Sequence, residues 1–186
     1  DEWCTFTSAQ VHEVGHNLGL AHSGEGTADY GDSSGMMGYS FSEVDTLMCF
    51  NAAKNFQLQW YTDKVKSISP LSKSDSTGLG ADGVKQFVLN GVDDYKKHND
   101  LIVLQLQQNN VIEQDYYIGY NKDTGMNADT KESQDEITVI LKESGDPLEF
   151  GQSWKVASLK LGGTHTITNF DGNASKNVWK IGRAHV

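Results

Sequence analysis

The chain has 186 residues, 37% of them hydrophobic and 10% aromatic, which suffices for one ordinary domain or two small ones. No apolar run reaches the ~18 residues of a membrane-spanning helix, and a formal net charge of −10 repels phosphate backbones and argues against nucleic acid as a partner. The charge is uneven, with eight acids against one lysine, Lys54, up to Thr62, and 17 acids against 14 bases beyond it; its plain reading is solubility.

Asp1 is not an initiator, and a dense His/Glu segment begins at His12, so the chain reads as a piece of a longer protein. Thr7 or Ser8 can cap a helix that runs through Gln10, Val11, Val14 and Leu18 and stops at Gly19. Residues 23–38 are Gly-rich without a period. Ser42-Glu43-Val44-Asp45 offers a capping box and Asn51 a second cap, ahead of a helix whose apolar face is Cys49, Ala53, Phe56 and Trp60. Two cysteines are too few for a disulfide scaffold. A single Cys4–Cys49 bridge and a pair of buried thiols both remain open.

Residues 67–83 are Ser-, Asp- and Gly-rich linker material. Beyond them, residues 84–89, 101–106, 116–120, 137–141, 154–159 and 164–168 alternate as strands do. Ile102, Leu104 and Leu106 are expected to share a face, as are Tyr116, Ile118 and Tyr120, and Ile137, Val139 and Leu141. Strands without intervening helices imply an antiparallel β-sandwich over 84–180. Asn173-Ala174-Ser175 is a glycosylation sequon, which agrees with export. Residues 181–186 read as a non-native tail, so His185 is set aside.

The chemistry is concentrated in His12-Glu13-Val14-Gly15-His16-Asn17-Leu18-Gly19-Leu20-Ala21-His22. Residues four apart stack on a helix, so His12 and His16 can present two imidazoles to one metal. Glu13 lies beside that face and can reach a water at the metal. Gly19 permits the sharp exit that would deliver His22 as the third ligand. Three imidazoles with one open position make a zinc site suited to catalysis. Gly15, costly within a helix, suggests close approach of another segment.

These eleven residues match the metzincin signature His-Glu-x-x-His-x-x-Gly-x-x-His in full. Met36-Met37-Gly38-Tyr39 follows, as the methionine turn of that superfamily does, with Met37, beside Gly38, as the expected apolar floor under the imidazoles and Met36 as the alternative. By the same resemblance, Tyr39 would donate to the developing oxyanion, the alternative being a packed aromatic. Trp3-Cys4, His12 to Ser23, Tyr30-Gly31-Asp32-Ser33, Met48-Cys49-Phe50-Asn51, Gln57 to Tyr61 and Tyr116 to Asn121 together resemble the gametolysin family. The resemblance implies an α+β architecture. Residues 1–66 would be the C-terminal half of a metzincin-like catalytic domain, with active-site helix, Met-turn and C-terminal helix; 67–83 would be a linker, and 84–180 a β-sandwich-like domain. It further implies a secreted, Zn2+-dependent endopeptidase acting on extracellular or cell-wall glycoproteins. Glu13 and Tyr39 would be catalytic, and His12, His16 and His22 the metal ligands. The half that normally precedes the active-site helix is absent, so the segment alone is expected to be weak or inactive.

The competing reading is a non-catalytic adhesive or carbohydrate-binding module, with Trp154 and Trp179 stacking on sugars. Glu13 separates the two, since a binding protein needs no carboxylate beside paired histidines. His98 among Asp93, Asp94 and Asp100, and the oxygen-rich stretch 123–135, read as solvated loops; the latter lacks the EF-hand ligand order.

Overall fold

The computed structural model describes residues 5–38, 47–70, 84–108, 114–143, 146–172 and 179–182. Helix α1 (Thr7–Asn17) leads into the short strand β1 (Ser23–Glu25), and α2 (Ala52–Leu58) precedes β2 (Val65–Ile68). Then come β3 (Val103–Leu106), β4 (Gln114–Asn121), β5 (Glu136–Glu143), β6 (Ser153–Leu159), β7 (Thr164–Ile167) and β8 (Trp179–Gly182).

Six strands form one sheet in the order β1-β6-β5-β4-β3-β2, and β7 pairs with β8. The central pairings, β3–β4, β4–β5 and β5–β6, are antiparallel, whereas β1–β6 and β2–β3 at the edges are parallel. Side chains alternate across the sheet, so one face carries Leu104, Leu106, Ile118 and Val139 and the other carries Val103, Tyr117 and Ile140. Ile167 and Phe170 close the first face. On the second, α2 lies across β3, β4 and β5 with Ala52 and Ala53 against the strands.

The architecture is α+β, but in place of the expected antiparallel sandwich the described residues form a mixed six-stranded sheet and a two-stranded one. Small residues let α2 occupy the face a second large sheet would cover. Residues 84–89 form no strand beyond an isolated bridge from Leu89 to Leu101, because β3 already has β2 and β4 as neighbours. Ile102 packs on the α2 face rather than with Leu104 and Leu106, since it precedes the strand. The groupings of Tyr116 with Ile118 and of Ile137 with Val139 hold on the first face. The sheet draws β1 and β2 from residues before 70 and its other four strands from residues beyond 100. Strand β8, which takes in Ile181 and Gly182, had no signal in the alternation pattern. No helix among the described residues is long and apolar enough to cross a membrane.

Candidate active site

Helix α1 starts at Thr7 with Phe6 as N-cap and no side-chain cap bond, so neither Thr7 nor Ser8 caps it. Its buried residues are Ser8, Ala9, His12 and Gly15, while Val11, Val14 and Leu18 are exposed. The helix thus turns its histidine face inward, against hydropathy. Gly15 explains how. A methyl group there would run into Met37 Sδ and stand 3.3 Å from Phe50 Cε1, so only glycine lets the methionine lie against the helix. Met36 and Met37 are both fully buried.

The helix ends through Gly19 at φ +82°, a left-handed conformation that glycine adopts without steric cost. Gln57 of α2 donates to the Gly19 carbonyl at 2.8 Å and holds this turn in place. The chain then enters β1, whose Ser23 N–H donates to Met37 O at 2.8 Å, while Ser153 N–H donates to His22 O at 3.1 Å. His22 is therefore gripped from the Met36-Met37 turn and from β6 together.

His12, His16 and His22 converge, each offering a ring nitrogen within 4.8 Å of the others. His16 Nε2 and His22 Nε2 stand 3.1 Å apart, near the N···N edge of about 3.3 Å that tetrahedral zinc–imidazole bonds imply. His12 Nδ1 lies 2.9 Å from Met36 O, and His16 Nδ1 lies 2.8 Å from Leu20 O. A carbonyl only accepts, so both Nδ1 atoms carry the proton and the acceptor nitrogen of each of these two rings is Nε2. Burial lowers the pKa of His12, opposed by its bond to Met36; burial also lowers that of His22, aided by the neighbouring His16 and His12. Both effects favour the neutral imidazole that metal binding requires.

Glu13 follows His12 on the exposed side of α1, outside the donor cluster. Cys4 and Tyr39 lie outside the described residues, as does the capping box at 42–45. Cys49 Sγ is 3.6 Å from Met126 O. Asn51 does cap α2, accepting from Lys54 N–H at 3.1 Å.

Other residues at the site had no individual signal in the sequence. The Tyr30 ring lies over His22 at a centroid distance of 4.0 Å, and 6.1 Å from His12. Behind β1, Asn51 Nδ2 donates to Asp32 Oδ2 at 2.9 Å and contacts Ser23 Oγ and Ser153 Oγ. Asp32 is fully buried. Desolvation pushes its carboxyl pKa up, opposed by hydrogen bonds from Ser34 and Asn51 and by the charge of Lys155. Lys155 itself pairs with Glu132, and with Glu25 at 3.1 Å. A lone Asp or Asn in a loop reads as turn chemistry; only the closed network shows it as the backing of the histidines.

The three histidines form a donor set that could hold a metal ion, and comparison with known proteins gives the family. A family model described as Gametolysin peptidase M11 matches residues 2–140, and the chain belongs to that family. It is also similar to an autolysin of Chlamydomonas reinhardtii, 40% identical over 50 residues, which cover 27% of this chain and 8% of that protein. The chain thus spans a small part of this relative's length. No solved structure matches it.

Proposed function

We propose that this chain carries the centre of a zinc-dependent endopeptidase that cleaves extracellular or cell-wall glycoproteins, and that the protein is secreted. The observation that most supports this reading is the convergence of His12, His16 and His22 to within 4.8 Å, with His12 and His16 each tied through Nδ1 to a backbone carbonyl. Three neutral nitrogen donors with one side open suit Zn2+. Bound there, zinc supplies Lewis acidity toward the scissile carbonyl and toward water.

The protein's own groups do the rest. Glu13, solvent-exposed next to His12, takes a proton from the attacking water and hands it to the leaving amine. The Met36 and Leu20 carbonyls keep two rings in the right tautomer, and Met37 fills the space under them. The Tyr39 hydroxyl donates to the oxyanion as charge develops. A Cys4–Cys49 disulfide suits an exported protein; thiol titration with and without reductant checks it.

Equilibrium dialysis should find one tightly held zinc per chain, and casein cleavage by the protein should stop on chelation and return with zinc. Glu13→Gln should keep the zinc and lose cleavage. Cleavage that ignores the chelator, or a chain that holds no zinc, overturns the assignment.

A further inference from the structure

Beside the histidines lies a cavity of about 440 Å³, walled on one side by His16, Ala21 and His22 and on the other by Glu143, Phe150 and Gly151. It is open to solvent, with Phe150 68% exposed. The far wall is the β5–β6 connection, far along the chain from the helix. That wall is built and held. Glu143 N–H donates to Gln152 O at 2.9 Å. Two buried lysines reach it from behind, Lys54 Nζ donating to Gly151 O and Lys142 Nζ to Glu149 O, each at 2.8 Å.

The cavity lining is mostly apolar and includes one carboxylate. Ala21 and the ring of Phe150 offer surface to a hydrocarbon stem. Among the lining residues only Glu143 carries a carboxylate, and among the described residues its side-chain hydrogen bond comes from Trp154 Nε1 at 2.9 Å. A carboxylate accepts about four such bonds, so this one retains capacity for a cation. Asp29, Asp146 and Glu149 add negative charge nearby, as the fields at His22 and Lys142 show. The two lysines oppose a cationic guest, but both ammonium groups are buried and turned onto backbone carbonyls.

We infer that this cavity receives the arginine or lysine side chain of a substrate residue flanking the scissile bond, with Phe150 along its stem and Glu143 at its charged end. The inference rests on the peptidase reading, because His16 and His22 form the near wall and place any occupant next to the reacting bond. A long basic side chain matches a mostly apolar lining that includes a carboxylate.

The test uses the zinc-loaded protein and peptides that differ only at the residues flanking the bond, arginine against norleucine. Wild type should favour arginine by about tenfold or more in kcat/KM, the scale of one charge-assisted hydrogen bond. The near-isosteric Glu143→Gln should bring the ratio close to one, chiefly by lowering kcat/KM for the arginine peptides. Glu143→Lys should reverse it toward glutamate peptides. The same peptides are titrated onto Glu13→Gln, with and without Glu143→Gln, and their Kd ratio should change in the same sense. Equal ratios in wild type and Glu143→Gln overturn the pocket and leave the peptidase standing. A binding preference that depends on Glu143, in a chain that holds no zinc, keeps the pocket and removes the peptidase reading.

Discussion

At Gly15 helix propensity and packing pull in opposite directions. Gly15→Ala should gain about 1 kcal/mol of helix propensity, but the new methyl meets Met37 Sδ and Phe50, and overpacking of that kind costs about 1–3 kcal/mol. The net result should be a lower Tm. On a Met37→Ala background the same change should raise Tm, which a thermal melt of the four proteins checks. Lys54 supplies a second residue-scale prediction. Burial pushes its pKa down to about 7 from 10.5, so between these values the unfolded chain holds a proton that the folded one lacks. Stability must then rise with pH from about 7 upward. Tyr61 is shifted up by burial and acts in the opposite sense above about 10. Urea melts between pH 7 and 9 should show the rise, and Lys54→Met should flatten it. His12 and His22, held below the usual imidazole value by burial, stay neutral at pH 7. Zinc affinity should therefore fall only as acidification carries the solution below about pH 6.5, where protons start to compete, and dialysis across pH 5–8 measures it.

Among the elements, α1 and α2 show how far local rules reach. The period of α1 was legible, and so was its stop at Gly19, but the apolar residues Val11, Val14 and Leu18 proved to be the exposed ones. Hydropathy predicts which face is buried only where burial of apolar area decides. Here Gly15 admits Met37, and the histidine face goes inward with it. For α2 the cap at Asn51 was read correctly, yet its other role was not. The same side chain binds Asp32, Ser23 and Ser153. Asn51→Ala removes the cap, worth about 1 kcal/mol, and strips a partner from a buried carboxylate, worth about 1–3 kcal/mol more. The expected loss exceeds that of an ordinary capping change, and chemical denaturation of the variant measures it. The strands of the sheet centre were visible because alternation is local. The 84–89 segment misled because alternation does not say whether a partner edge is free.

For the whole molecule, the histidine centre depends on the distant sheet. His22 is held by Ser153, and β1 has β6 as its parallel partner, while α2 rests on β3, β4 and β5. A chain ending at Pro70 keeps His12, His16, His22 and both methionines, but it loses those supports. Such a truncation should bind zinc far more weakly than the 186-residue chain and lose its helical signal, as dialysis and circular dichroism would show. Retention of one tight zinc by the truncated chain would mean that the local segment is sufficient.

The identity and order of the donors were set by the sequence alone, because a helix places residues 12 and 16 on one face whatever surrounds it and a glycine exit brings the chain round toward residue 22. The tertiary structure decided which nitrogen each ring presents, how His22 is held, that Tyr30 lies over it, and that a hairpin bearing Glu143 and Phe150 faces the site. Those contacts join residues far apart in the chain. Their geometry follows from strand register and close packing, which leave no period in the sequence to read.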